Sequence, residues 1–393
     1  MSVILVLISL WLPFYFVKYT TRLYASLLML FTLLCQIISF INAYCYTFSA
    51  LNSDAQKFYQ QSVTGLSFNT SGSTIYPFVL HKLYIFDSSM LIGQTLSIIA
   101  YEFAALVLYQ LIKQLKFEKY ALPILILFSI NPMEMIIRAG ILRESFQQLL
   151  FMLFLYYGLI FLKEKTRLRH LILLLIFGLF ASSLHFGIAV AVFFTAVYLL
   201  FNKIFSFHLR FDRPLRNLTY LMMALLGYMM FMILKTHLLS FFTFATHYAL
   251  HIAAANTQYT NTVSSGTVTS FIQAFFNYMF YPYPWNISSA VSFYAGVISF
   301  SRFILLYYSI KEIKKMHDEN IQLAKLKMII LVSVLAVAFV FSIGTNNYGT
   351  SMRHQMLTYW GLVLLGVPGF FHATRRKKSK CKKYALSSPM TTI

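Results

Sequence analysis

Residues 142–187 read LRESFQQLLFMLFLYYGLIFLKEKTRLRHLILLLIFGLFASSLHFG. Two uncharged apolar runs, 147–162 and 171–184, enclose a turn at 163–169 that carries four Lys or Arg. Polar groups return only at the far ends, as Arg143 and Glu144 on one side and His185 on the other. A run of this kind suits a helix crossing the ~30 Å hydrocarbon layer. A helix is the form that satisfies its own backbone where no water is at hand. Two such runs joined by a basic turn predict a pair of membrane crossings connected on the cytoplasmic side.

The same grammar extends in both directions. Of 393 residues, 59% are hydrophobic and 11% charged, against roughly 25% charged in soluble domains. Mean hydropathy is +0.69. The expected class is an all-α, polytopic integral membrane protein. Eleven crossings are predicted, at about 2–17, 23–43, 90–112, 120–133, 147–162, 171–184, 187–202, 217–236, 287–310, 328–343 and 357–372. The run 171–202 is too long for one crossing and divides at SSLHFG. The connectors 18–22, 113–119, 163–169, 203–216 and 311–327, with the tail from 375, hold 25 of the 32 Lys and Arg. All six fall on one side of this alternation. The N-terminus is then outside and the C-terminus cytoplasmic.

That distribution explains the net charge of +21 without nucleic acid: the basic groups orient the chain and meet anionic headgroups. The chain reads as one multi-pass domain, 1–374, with a basic tail, 375–393, and long outer loops at 44–89 and 237–286. In the second loop, Leu238, Phe241, Phe242, Ala245, Ala249 and Ile252 have the spacing of a helix lying in the headgroup plane. The first apolar run lacks a basic leader and a small-residue cleavage site, so it is read as a retained crossing. Cys35, Cys45 and Cys381 have neither zinc-site nor disulfide-framework spacing. No metal-ligand cluster, phosphate-cradling glycine loop or GxSxG elbow appears. No cofactor is expected.

Charges outside the cytoplasmic connectors are few and costly near a bilayer. Glu134 and Arg138 are four apart, acid first, and can pair on one helix face. Arg143 is either part of a wet loop or the grip of an anion-binding lip, since a guanidinium holds phosphate bidentately. His185 either caps the turn at its hairpin or works as an acid or base. Asp54 is either a solvated loop carboxylate or a base for a hydroxyl nucleophile. Glu102 and Arg302 lie within crossings and are expected to brace two helices. Arg353 and His354 stand in GTNNYGTSMRHQMLTYW, 344–360, between two membrane-grade runs and with no acid nearby in sequence.

Four features recur in a fixed order: Asp-x4-Tyr in DAQKFY (54–59), the crossing opened by Arg143–Glu144, the basic turn KEKTRLRH, and a crossing ending SSLHFG. Late in the chain Asn347, Gly349, Thr350 and Arg353 form N-x-G-T-x-x-R. This order resembles the multi-pass polysaccharide polymerases of bacterial surface-glycan assembly, of the Wzy and EpsG type. The layout is also similar to lipid-carrier glycosyltransferases of the GT-C kind. One departure is the outer loop 237–286, which has no Lys or Arg where many such polymerases carry arginines.

The resemblance implies a metal-independent membrane glycosyltransferase at the outer face of the bacterial cytoplasmic membrane. Its partners would be oligosaccharides linked through pyrophosphate to a polyprenyl carrier, membrane lipids, and a chain-length regulator. Arg353, Arg143 and Arg138 would hold the pyrophosphate. His354 or His185 would orient it or donate a proton, and Asp54 or Glu144 would activate the acceptor hydroxyl. Two alternatives stand beside it: a flippase for the same material, working through Glu102 and Arg302, and a glycan acyltransferase working through His185 and Glu144.

Overall fold

Every apolar run that falls on described residues folds as helix, one of them with a break. The computed structural model describes residues 1–45, 52–65, 75–163, 168–208, 268–345 and 348–387. The run at 217–236 and the headgroup helix expected at 238–252 lie outside them. In chain order the helices are α1 (Ser2–Phe16), α2 (Arg22–Cys45), α3 (Asn52–Thr64), α4 (Ile75–Tyr84), α5 (Met90–Gln114), α6 (Ala121–Ser129) and α7 (Pro132–Arg138). There follow α8 (Glu144–Lys163), α9 (Leu168–Leu184), α10 (Phe186–His208), α11 (Val268–Phe280), α12 (Ala290–Glu319), α13 (Ile321–Ile343) and α14 (Tyr348–Ser387). No strand occurs among the described residues.

Seven of these helices are long and apolar enough to cross a membrane: α2, α5, α8, α10, α12, α13 and α14. The outward faces of the bundle are hydrocarbon, as at Leu175, Leu179 and Phe180 of α9 and Phe293, Phe300 and Phe303 of α12. Exposed apolar surface on that scale belongs against lipid, not water. All-helical among the described residues, the chain has the character of a multi-pass membrane protein. Its crossings are less uniform than the eleven runs suggest. α1 and α9 are shorter helices of 15 and 17 residues.

The expected crossing at 120–133 is broken. α6 ends at Ser129, and α7 continues from Pro132 at an angle of 74°. Proline has no N–H to continue the ladder and pushes its predecessor out of helical geometry. Asn131 caps the new helix, its side-chain oxygen accepting from the Met133 N–H at 3.2 Å. The carbonyls orphaned at the end of α6 go to Arg138, which donates to Phe128 O at 2.8 Å and Ser129 O at 3.5 Å.

α12 and α14 cross where glycines let backbone approach backbone. A Cβ on Gly366 would stand 2.6 Å from Leu305 O, and one on Gly369 would collide with Tyr308 O. Neither obstacle is a side chain able to swing away. Gly369→Ala should therefore cost about 1–3 kcal/mol, read as a lower midpoint in thermal unfolding of the detergent-purified protein. Gly296→Ala is the control, since its nearest obstacle is the far end of the Ile287 side chain at 3.0 Å. An equal midpoint in the two variants would refute the close crossing.

At one end of this crossing a buried Lys327–Glu312 ion pair is joined by His372. Lys327 Nζ and His372 Nδ1 each stand 2.7 Å from a different oxygen of Glu312. The Lys327 ammonium also lies 4.1 Å from the Phe117 ring centre. These three side chains tie α12, α13 and α14 together beside the basic connector.

Candidate active site

At the other end of the bundle four chain segments meet. α3 supplies Asp54 from its first turn, and α8 begins at Glu144 with Arg143 just before it. His185 is the single residue between α9 and α10, which fold back so that Gly178 faces Val192. Arg353 and His354 stand in the early turns of α14. Asp87 shows that the start of α1 lies at an end of α5, accepting the Ser2 and Ser89 N–H groups at 3.0 Å.

Arg353 is the hub. Its Nη1 donates to Asp54 Oδ2 at 2.5 Å, and its Nε lies 2.8 Å from Glu144 Oε1. A cation near a helix N-terminus opposes the helix dipole, and two carboxylates offset that here. They are not equivalent. The Glu144 side chain is 1% exposed and that of Asp54 47%. Burial raises the Asp54 pKa, but the Arg353 ion pair, with Arg143 and Lys57 behind it, outweighs burial and sets it below the ordinary carboxylate value. A depressed carboxylate pKa contributes stability that is fully present above the unfolded value and is lost as pH falls through the folded one. The Asp54–Arg353 bridge is thus intact at neutral pH.

Arg143 lies alongside. Its carbonyl takes the Gln147 N–H at 3.0 Å and its Nη1 donates to Leu184 O at 3.3 Å. Gln147 Nε2 reaches the same carbonyl at 3.4 Å, and Gln148 Nε2 donates to Met356 O at 2.6 Å. The start of α8 therefore pins the end of α9 and the site-bearing turns of α14. The Arg143 guanidinium sits 5.6 Å from the Phe58 ring centre.

His185 caps α10. Its Nδ1 accepts the Gly187 N–H at 2.9 Å, so the ring proton of the neutral form belongs on Nε2. The capping reading of this residue is the geometry found, and it leaves Nε2 for other work. The His185 and His354 rings lie 6.0 Å apart, both against Phe341 at 4.9 and 4.7 Å. Tyr59 of the Asp-x4-Tyr pattern ties α3 to the α4–α5 connection through Ser88 O at 2.7 Å.

Six of the expected residues, Asp54, Arg143, Glu144, His185, Arg353 and His354, are thus brought together, while Arg138 is not. Arg138 is 0% exposed. It pairs with Glu134 at 2.5 Å, caps α6, and lies between the Tyr101 and Phe128 rings at 4.3 and 4.7 Å. Its i, i+4 pair forms as expected, but closed inside the bundle rather than at a rim, because the broken α6–α7 crossing needs its donors. Glu102 and Arg302 do not pair either. Thr32 Oγ1 donates to Glu102 at 2.9 Å, whereas Arg302 donates to Met279 O at 3.3 Å and faces Glu134.

Of the late motif, Gly349, Thr350 and Arg353 open α14, and Asn347 lies outside the described residues. Phe58, Phe341 and the glutamine ties were not singled out from sequence. In a chain with 40 Phe, no local pattern marks the two that matter here. No group of three or more His, Cys, Asp or Glu able to hold a metal forms among the described residues.

The cluster holds two guanidinium groups, two carboxylates and two imidazoles at helix ends. Such a set can bind a polyanion through its arginines and take a proton through a carboxylate. No protein-family model matches the chain, and no curated protein or solved structure is found to be similar to it.

Proposed function

We propose that the chain transfers glycosyl units between polyprenyl-pyrophosphate-linked oligosaccharides, extending a surface polysaccharide at the outer face of the bacterial cytoplasmic membrane. The observation that carries this reading is the meeting of Asp54, Arg143, Glu144, His185, Arg353 and His354 from four distant segments. In the topology expected from the basic connectors, this cluster would lie on the side opposite them.

In the proposed step an acceptor hydroxyl oxygen attacks the anomeric carbon of the donor sugar. The bond from that carbon to the diphosphate oxygen breaks, the diphosphate leaves with the electron pair, and the hydroxyl proton passes to a carboxylate. Charge grows on the leaving diphosphate, so arginines fixed around it stabilise the transition state more than the ground state. His354 and the Nε2–H of His185 orient the phosphates or the acceptor.

The alternatives draw less support. Glu102 and Arg302, which a flippase would use, engage separate partners. For acyl transfer His185 would need Glu144 as its activator, but its Nδ1 serves α10 and Glu144 serves Arg353. Deleting the gene separates the readings. Loss of a polymerase leaves single units on their carrier displayed outside. Units trapped inside would show a flippase, and undiminished polymer would end the proposal.

A further inference from the structure

The two carboxylates on Arg353 differ in what their release would cost. Glu144 is enclosed, and parting it from Arg353 would strand a buried charge. Asp54 is half exposed, so water replaces much of what it loses on leaving the guanidinium. Of the groups around Arg353, Asp54 is the one a second anion can displace. A phosphate oxygen has the charge and the acceptor geometry to take its place on Nη1, with the neighbouring Nη2 completing a fork.

Resting on the glycosyl-transfer reading above, we propose that Asp54 is a displaceable counter-ion: it occupies the seat of the substrate's diphosphate, and displacement delivers it as the base for the acceptor hydroxyl. At rest Asp54 and Glu144 offset the charges of the two arginines, so the site offers less to a stray anion than bare guanidinium groups would. Once a diphosphate takes Nη1, Asp54 loses its cation and gains an anionic neighbour. Both changes make its carboxylate more basic, at the moment an acceptor proton must be taken. Glu144 stays on Nε throughout and keeps the guanidinium aimed. The base is therefore masked until a donor is seated, which disfavours attack by water in its absence.

The test uses the full-length protein in lipid nanodiscs with inorganic pyrophosphate as the probe, beside polymer formation in cells. If Asp54 holds Arg353 for 90–99% of the time, removing it tightens apparent binding roughly 10- to 100-fold. Asp54→Asn should show that gain together with a fall in polymer formation of roughly 10²–10⁴-fold, the usual loss on removing a general base. Asp54→Ser is read the same way should the asparagine variant fail to accumulate. Equal or weaker pyrophosphate binding than wild type makes Asp54 a structural brace and overturns the exchange. Undiminished polymer in either variant overturns its delivery as base. Wild type that makes polymer but binds no pyrophosphate also overturns the exchange, leaving glycosyl transfer standing. Wild type that does neither removes the glycosyl-transfer reading itself.

Discussion

Arg353→Ala is expected to abolish polymer formation and, separately, to lower the amount of folded protein. The first effect follows from losing the group that two carboxylates aim at the site. Removing one such charge-stabilising donor typically costs about 10²–10³ in rate. The second follows from Glu144, whose 1%-exposed side chain has its ionic partner in Arg353. Breaking a buried pair from one side costs about 3–5 kcal/mol. The two effects come apart in the double variant Arg353→Ala, Glu144→Gln, which no longer buries a lone charge. It should recover membrane abundance and thermal midpoint without recovering polymer. Arg353→Lys should fold and retain only part of the activity, since an ammonium lacks the planar fork. Polymer of normal length from Arg353→Ala would contradict the site.

Arg138→Met should be the most damaging single change to stability. The residue is fully enclosed, its guanidinium pairs with Glu134, and it also closes the end of α6. Its removal leaves a buried carboxylate and orphaned carbonyls at the 74° break, a loss of about 3–5 kcal/mol from the ion pair alone. Thermal unfolding of the purified protein should show it directly, with partial recovery in Glu134→Gln, Arg138→Met. The contrast with Arg353 is informative, because the resemblance to polysaccharide polymerases implied both arginines on one pyrophosphate. If Arg138→Met accumulates and melts like wild type while losing polymer, the bracing role is wrong and the rim assignment returns.

Local patterns carried most of the fold. The apolar runs among the described residues fold as helices, 120–133 with a break, the split at SSLHFG falls at His185, and Glu134 and Arg138 pair four residues apart. The bend in 120–133 was also written locally, in Asn131–Pro132, but an apolar run that crosses it outweighed a turn signal of two residues. The site is a different case. Basic groups at helix ends were visible as costly residues with no cytoplasmic reason, so the candidate set was legible. Their pairing was not. Asp54 and Arg353 are separated by 299 positions, and only the folded chain brings the first turn of α3 within reach of the early turns of α14. The same gap in reach misled the reading of Arg138: its chemistry suited phosphate as well as carbonyls, and only the break in α6–α7 decides between them.

α14 is made fast at two levels. Arg353 moors it to α3 and α8 near its beginning, and His372 moors it to α12 beside the basic connector. The span between these moorings is about 28 Å at 1.5 Å per residue, close to the full thickness of the hydrocarbon layer. A helix tied at two levels resists sliding along its own axis, because any slip must undo both sets of polar contacts at once. In the proposed glycosyl transfer, a lipid-linked substrate drawing on Arg353 would pull against that strut, and the arginine would keep its aim.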